Sequence, residues 1–395
     1  MRFSRRTAWN TEESELARAH RMRAQSGLPI ADLTASNPTR CGFHYAPDLL
    51  GALADPVALD YDPQPKGSLR GQEAVCGYYA DHGVQIKPEQ VVLTTSTSEA
   101  YSYLFRLLCD PGNEILAPQP GYPLFDFLAV LDDVRLRAAP LVYDQGWQID
   151  PEGFRRAITP QTRAIVLVHP NNPTGHFTKP WEAEELARIC RERDLSLIVD
   201  EVFLDYCFEG SGRSFAAGLD GVAVFVVSGL SKIAGLPQMK AAWIVVTGPE
   251  AGPALERLEV IADTFLSMNT PVQCALPKWL EGRAAIRGQI QERVNANLAE
   301  LDRQLGRLPA VQRLNVEGGW YATLRIPALR PDEQTVLALL ERGVWVQPGY
   351  FFGMAESGWL VVSLLGPETE FVTGVTGLVD YLGTDHYGNG TTITA

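Results

Sequence analysis

Residues 164–175 read AIVLVHPNNPTG, residues 195–200 read LSLIVD, and residues 222–232 read VAVFVVSGLSK. Each stretch begins as a short apolar run rich in Val or Ile and then reaches a polar residue, namely Asn172, Asp200 and Lys232. The spacings of 28 and 32 residues each match one strand followed by one helix. We therefore predict three parallel strands whose polar residues meet at the carboxyl edge of a buried sheet, where open α/β sheets bind ligands.

The alternation of strands and amphipathic helices continues on both sides of these segments. Further strand-like runs lie at residues 91–94, 114–118 and 241–246. Between Leu255 and Leu308, charged and apolar residues interleave at helical spacing, which indicates one or two long helices. The pattern predicts an α/β fold with a mainly parallel central sheet covered by helices on both faces.

After Pro309 the pattern changes to short strands with two helical stretches. The strand-like runs are 319–326, 344–346 and 360–364, and the helical ones are 333–341 and 368–382. Because 395 residues exceed one small core, we predict a large domain over residues 46–280. Residues 1–45 and 281–395 would form a small α+β domain, with residues 388–395 frayed.

Composition and charge exclude several classes of protein. The 34 Lys and Arg against 47 Asp and Glu give a net charge of −13, which opposes binding to nucleic acid. No apolar stretch approaches the roughly 18 residues of a membrane span, and no secretion signal precedes the acidic N-terminal residues. We predict a cytoplasmic protein that does not bind membranes. The six cysteines are dispersed, and His169 and His176 look like solvated loop residues, so we predict no metal site.

Asp200 and Lys232 are the candidate chemical pair. A carboxylate at the end of a buried strand needs a cationic or hydrogen-bonding partner, although an isolated aspartate there is more often a helix cap. Lysine is scarce in this chain, with six in all, and Lys232 follows mostly small residues that admit a ligand. In a partly dry cleft beside a second cation, for which Lys240 is the candidate, its amine would have a lowered pKa and could form a Schiff base.

The segment TTSTSEA, residues 94–100, follows a strand and opens a helix. Ser96 and Glu99 fit the S-x-x-E capping box, which places free backbone N–H groups at the helix N-terminus. Such a terminus can bind a phosphate, although the motif alone is more often a plain helix cap.

Four motifs occur together: PGYP at 120–123, NNPTG at 171–175, Asp200-Glu201, and GLSK at 229–232. In combination they resemble the class I and II aminotransferases of the pyridoxal-phosphate-dependent fold type I superfamily, as in aspartate aminotransferase. The resemblance covers nearly the whole chain from Asn37 onward. It implies pyridoxal 5′-phosphate as cofactor and transfer of an amino group between an amino donor, expected to be an amino acid, and a 2-oxo acid.

The resemblance also assigns roles around the cofactor ring. Lys232 would bind the cofactor as a Schiff base and then carry the proton of the reaction. Asp200 would pair with the protonated pyridine nitrogen, which makes the ring a better electron sink. Asn172 would donate to the ring O3′, and Tyr122 would stack on the ring face.

Further residues would hold the cofactor phosphate. Ser96 and Thr97 would bind it with backbone and hydroxyl donors, assisted by Lys240. Tyr61 would reach the phosphate bound by a neighbouring subunit, so the resemblance implies a homodimer.

Three residues depart from the family pattern. Lys240 stands where an arginine usually grips the phosphate, so a point charge replaces a bidentate fork. Phe203 replaces a tyrosine that donates to O3′, which should raise the pKa of the Schiff base unless Tyr206 substitutes as donor.

Val361 falls at or near the arginine that usually binds the substrate α-carboxylate. Either other donors hold the carboxylate, with Arg325 and Asn37 as candidates, or the amino donor has none.

The same lysine and aspartate would serve other reactions. A C–S lyase, a decarboxylase or a cyclising synthase on this fold remains an alternative, since the sequence does not show which bond at the substrate carbon is broken. A non-catalytic regulatory module that binds the same cofactor is a further alternative. A nicotinamide-dependent dehydrogenase is disfavoured, because the chain lacks the G-x-G-x-x-G fingerprint.

Overall fold

The computed structural model describes residues 1–210 and 212–384, so the predicted fraying of residues 388–395 lies outside the described residues. The strands in that range are β1 Ala31–Asp32, β2 Val91–Thr94, β3 Glu114–Gln119, β4 Arg135–Tyr143, β5 Trp147–Ile149, β6 Thr162–Val168, β7 Ser196–Asp200, β8 Val224–Gly229, β9 Ala242–Thr247, β10 Gln312–Arg313, β11 Tyr321–Arg325, β12 Val344–Trp345, β13 Gln347–Pro348 and β14 Trp359–Ser363. The helices are α1 Glu15–Gln25, α2 Leu69–Asp81, α3 Thr97–Leu108, α4 Leu124–Leu131, α5 Pro151–Ala157, α6 Pro180–Arg193, α7 Leu230–Ile233, α8 Ala251–Phe265, α9 Thr270–Glu281, α10 Arg283–Leu305, α11 Asp332–Glu341 and α12 Glu368–Leu382. None of these helices combines the length and apolar character that crossing a bilayer requires.

The largest sheet has eight strands in the order β2-β9-β8-β7-β6-β3-β4-β5. Strands β4, β3, β6, β7 and β8 run parallel, whereas β5 and β9 run antiparallel to their neighbours. The prediction of a mainly parallel central sheet is therefore confirmed. The sequence reading missed β4 and β5, because the burial pattern of β4 is mixed and lacks a clean apolar run.

The central strands are buried because helices cover both faces of the sheet. In β7, Leu197 and Val199 face a core shared with α2, α6 and α9. The intervening Ile198 faces a second core shared with α3, α4 and α8. Alternate side chains point to opposite faces of a strand, so a strand that is covered on both sides must be apolar throughout.

The C-terminal part of the chain builds a second, antiparallel sheet in the order β10-β11-β14-β13. The short strand β1 pairs in parallel with β12, which ties the N-terminal segment to this region. Three helices, α8, α9 and α10, occupy the stretch where one or two were predicted. The arrangement agrees with a small α+β unit, and the boundaries at residues 45 and 280 stay a prediction.

The two histidines beside the NNPTG turn are buried, so the prediction that they are solvated is wrong. His169 accepts a hydrogen bond from the Thr178 amide at 3.1 Å, and its other ring nitrogen lies 3.1 Å from the Arg213 carbonyl. Burial lowers the pKa of His169 to about 3, so the ring is neutral. His176 lies 2.9 Å from the Glu182 carboxylate. Both rings fix the turn rather than bind a ligand.

Gly175 ends the NNPTG turn at φ +69°, and a Cβ there would overlap Val316 and lie 2.6 Å from the Gly318 carbonyl oxygen. We expect Gly175→Ala to lower the free energy of unfolding by about 1–3 kcal/mol, because it combines left-handed strain with overlap. The measurement is the thermal unfolding midpoint. Gly77→Ala is the control, because Gly77 lies in helix α2 with open space around it, and it should not destabilise. Equal midpoints for the two variants would contradict the prediction.

Candidate active site

Three adjacent parallel strands bring the predicted polar residues to one edge of the large sheet. Asp200 is the last residue of β7, and its neighbours across the ladder are Val168 at the end of β6 and Val227 in β8. Lys232 lies in helix α7 directly after β8, and Asn172 lies four residues after β6. The structure therefore places Asn172, Asp200 and Lys232 at the common carboxyl edge, as the spacing predicts.

Lys232 is half-buried, and its amine lies over two aromatic rings. Its amine lies 4.8 Å from the centre of the Trp320 ring and 5.6 Å from that of Phe203. Burial lowers its pKa to about 8, and the nearby Asp200 carboxylate opposes the shift. The expected second cation, Lys240, is exposed and does not cause this lowering, so that part of the prediction is wrong. The lowered pKa leaves a larger neutral fraction of this amine near neutral pH than an ordinary lysine has, and only the neutral amine can act as a nucleophile.

Asp200 is buried and held by two donors. The Tyr101 hydroxyl donates to one carboxylate oxygen at 3.0 Å, and the Val202 amide donates to the other at 3.0 Å. Burial raises the pKa of Asp200 to about 6, and these donors and Lys232 oppose the shift. A protonated ring nitrogen that donates to this carboxylate would give the buried charge a cationic partner. Such a charge-assisted hydrogen bond stabilises the bound ring by about 1.5–3 kcal/mol.

Tyr101 is a functional residue that the sequence reading missed. It looks like one more apolar residue of helix α3, and its ring is buried against Phe105 and Phe125. Its partner Asp200 lies 99 residues away in the chain, so no local pattern signals the contact.

Asn172 is buried and its carboxamide oxygen has no hydrogen-bond partner in the described part of the chain. The preceding Asn171 holds the turn, because its amide nitrogen donates to Pro120 at 3.1 Å and to Thr174 at 2.8 Å. A buried polar group left without a partner costs about 1–3 kcal/mol. The carboxamide of Asn172 is therefore suited to hydrogen-bond a ligand at the sheet edge.

The N-terminus of helix α3 opens at the same edge. Ser96 is its N-cap and accepts from the Glu99 amide at 3.2 Å. Glu99 does not close the predicted box on Ser96; it accepts from the Thr95 amide at 2.7 Å instead. The first amides of a 12-residue helix, including that of Thr97, therefore face outward and can bind an anion. Lys240 is exposed two residues before β9, which pairs with β2 at this edge.

Two aromatic residues of the prediction occupy different places. Tyr122 is 37 % exposed, and burial together with the nearby Asp200 raises the pKa of its phenol. It therefore lies within reach of a ring bound at Asp200. Tyr61 is 82 % exposed and lies at the surface.

Three residues were predicted to replace the tyrosine and the arginine that this chain lacks, and each is engaged elsewhere in the structure. Tyr206 is fully buried and its hydroxyl donates to the Lys232 carbonyl at 2.7 Å, so it cannot also donate to a ligand ring. Arg325 donates to the Ser357 carbonyl at 2.8 Å and lies over the Trp359 ring, so it is not free in the cleft. Asn37 is exposed and its carboxamide oxygen caps the following turn through Thr39, which leaves only its amino group.

The fold and the site together define a pyridoxal-phosphate-dependent transferase of fold type I. The Lys232 amine is suited to the reactive group of that cofactor, and the buried Asp200 carboxylate is suited to its pyridine nitrogen. The open N-terminus of helix α3 is suited to its phosphate. The family model for class I and II aminotransferases matches residues 53–373. The chain therefore belongs to this family, whose members use pyridoxal phosphate, and it is an aminotransferase.

Curated relatives and solved structures agree with this assignment. The glutamate-pyruvate aminotransferase AlaA of Escherichia coli K12 is 28% identical over 335 residues, which cover 80% of this chain and 81% of that protein. An alanine aminotransferase of Mycobacterium tuberculosis is 28% identical over 344 residues, 82% of this chain and 78% of the relative. The alanine aminotransferase structure from Pyrococcus furiosus shares the fold, with a TM-score of 0.88, 24% identity, and coverage of 96% and 99%.

The lowered pKa of Lys232 predicts that its reactivity rises at a lower pH than that of an ordinary lysine. Its amine should be half-neutral near pH 8, so acylation of the apoprotein by trace acetic anhydride should rise through about pH 8. An ordinary lysine side chain titrates near ~10.4. The measurement is the extent of labelling of the Lys232 peptide by mass spectrometry, with N-acetyl-lysine methylamide in the same tube as reference. Matching midpoints for the peptide and the reference would contradict the prediction.

Proposed function

We propose that Lys232 is the residue to which pyridoxal phosphate attaches and that this chain transfers an amino group from an amino donor to a 2-oxo acid. The observation that carries the proposal is the half-buried Lys232, whose amine has a lowered pKa, near the buried Asp200 carboxylate. When bound, the cofactor supplies an electron sink for the charge that develops on the substrate carbon. Asp200 keeps a proton on the ring nitrogen, and Lys232 moves the proton at the substrate carbon.

The remaining residues bind and orient. The carboxamide of Asn172 and the ring of Tyr122 fix the plane of the bound ring from its edge and its face. The amides that follow Ser96, with the Lys240 ammonium nearby, hold the phosphate. Trp320 and Phe203 keep water away from the Lys232 amine, which preserves its neutral form.

Two of the relatives are named glutamate-pyruvate aminotransferase and alanine aminotransferase. We therefore take alanine, glutamate and pyruvate as the reference substrates for assays of this chain. We propose a two-step exchange in which the donor leaves as a carbonyl compound and the amino group stays on the protein until the acceptor arrives. Each step is then measurable alone, because the donor step needs no acceptor.

The proposal is tested by trapping and by substitution. Borohydride reduction of the loaded protein should fix the cofactor on the peptide that contains Lys232. Lys232→Ala should abolish trapping and lower amino transfer by roughly 10³-fold. Lys87→Ala is the control, since Lys87 is exposed and lies outside the site, and it should change neither result. Trapping on another lysine would contradict the proposed role.

We also propose that the chain forms a homodimer through an apolar patch that surrounds Tyr61. The patch consists of exposed residues on two adjoining segments: Val57, Leu59, Tyr61, Val260 and Phe265. A Lys66–Glu259 ion pair at 3.4 Å joins the segments. An exposed apolar cluster of this kind is typical of a protein interface. A partner's Tyr61 position would then complete the phosphate site of this chain.

A charge in the patch should separate the subunits. Leu59 is 89 % exposed here, so Leu59→Asp should leave the fold intact while it converts the dimer to a monomer and weakens cofactor binding at least ~10-fold. Sedimentation and cofactor titration measure the two effects. Val372→Asp makes the same change at an exposed apolar residue of helix α12 and should have no effect on either. A Leu59→Asp protein that stays dimeric would exclude this interface.

We propose a cytoplasmic location as well. It is supported by the six cysteines, which are all unpaired thiols, as is usual in a reducing compartment.

A further inference from the structure

One face of the C-terminal sheet presents a row of uncharged polar groups. Thr323 of β11 pairs with Val361 of β14, which in turn pairs with Gln347 of β13. Residues directly opposite one another in antiparallel strands share a face, so these three side chains lie side by side. The same face carries Tyr321 at one end and the Arg325–Trp359 pair at the other.

This face borders the cofactor site. The Tyr321 phenol is hydrogen-bonded to Ser36, and burial together with the neighbouring Tyr122 raises its pKa to about 12. Trp320, which precedes the strand, lies 4.8 Å under the Lys232 amine. Thr323 follows Tyr321 by two residues, which is roughly 6.6 Å along a strand. At the far end, Trp359 packs 6.3 Å from Trp147 of the large-sheet region.

Polar atoms along this row have no partner in the described residues. They are the Thr323 hydroxyl and the Gln347 carboxamide oxygen. Thr323 is only 1 % exposed, so its hydroxyl is unsatisfied unless something binds to it. A buried row of unpaired, uncharged groups is the kind of surface that recognises a neutral hydrogen-bonding ligand.

The only cation on this face of β11, β13 and β14 is Arg325, and it is already engaged. Its guanidinium donates to the Ser357 carbonyl at 2.8 Å and lies 4.6 Å over the Trp359 ring. Val361, at the middle of the row, is fully buried and apolar. A carboxylate brought against this row would lose its hydration without gaining a cation.

We propose that Thr323, Val361 and Gln347 make the site selective for amino compounds whose amine-bearing carbon carries a neutral hydrogen-bonding group, such as an amide or alcohol, where an amino acid has its carboxylate. This inference rests on the proposed function and narrows its donor. The amino group leaves the neutral donor, which becomes the matching carbonyl compound, and passes to the 2-oxo acid, which becomes an amino acid. No outside oxidant is needed. The acceptor carboxylate meets the same row, so 2-oxo acids should bind weakly.

The first test compares matched donors and matched unreactive ligands on the loaded enzyme. L-Alaninamide should complete the donor step with a kcat/KM at least ~10-fold above that of L-alanine. Isobutyramide should likewise bind more tightly than isobutyrate by calorimetry, a readout that requires no turnover. Alanine reacting as well as alaninamide, or isobutyrate binding as tightly as isobutyramide, would overturn the inference.

The second test changes the charge of the row. Val361→Arg should shift the alaninamide-to-alanine ratio at least ~10-fold toward alanine, while Val361→Gln, which is long but neutral, should not. Comparing ratios between variants cancels the difference in amine basicity between the donors. Thr323→Val, which removes only the hydroxyl, should reduce the preference for the amide and covers the case in which Val361→Arg fails to fold. Unchanged ratios in both Val361→Arg and Thr323→Val would overturn the inference.

Failure of the proposed function can be distinguished from failure of the donor inference by which donors react. If no donor of either class transfers its amino group although borohydride labels Lys232, the aminotransferase proposal for these residues fails. If both classes react and the carboxylate is preferred, only the donor inference fails.

Discussion

Asp200 and Lys232 attract one another at the carboxyl edge of the large sheet, where burial acts on both charges. It raises the pKa of the carboxyl to about 6 and lowers that of the amine to about 8, while their mutual attraction opposes both shifts. Two groups held in this way are both close to losing their charge. The proposed chemistry depends on this balance, because a hydrated lysine would be protonated and a hydrated aspartate would hold a ring nitrogen poorly.

Two buried tyrosines keep this pair in place from either side. The Tyr101 hydroxyl donates to Asp200 and so ties β7 to helix α3, whose N-terminus is the proposed phosphate site. The Tyr206 hydroxyl binds the Lys232 carbonyl and fixes the short helix that carries the amine. Neither side chain needs to touch a substrate. They preorganise the reactive groups on rigid elements, which is where much of the advantage of an enzyme site arises.

The proposed substrate side of the cleft differs in charge from the proposed cofactor side. The edge of the large sheet carries the charged side chains of Asp200 and Lys232, whereas the β11–β14–β13 face offers neutral groups around Val361. The glutamate-pyruvate aminotransferase AlaA of Escherichia coli K12 is 28% identical to this chain over 335 residues. Such a relationship establishes the class of reaction, while the substrate is set by a few side chains that the fold tolerates in many forms.

The sequence by itself determined the α/β class, most strands of the large sheet and the three polar residues that follow its central strands. The predicted 91–94 coincides with β2, and helix 368–382 was predicted at its observed bounds, because both patterns are local and periodic. Partnerships between distant side chains were not determined in this way. Tyr101, Tyr206, Arg325 and the buried histidines were misread or missed, since each owes its role to a contact that only packing creates. Local pattern fixes which face a side chain takes, but the dielectric around it and the partner it meets exist only once the whole chain has folded.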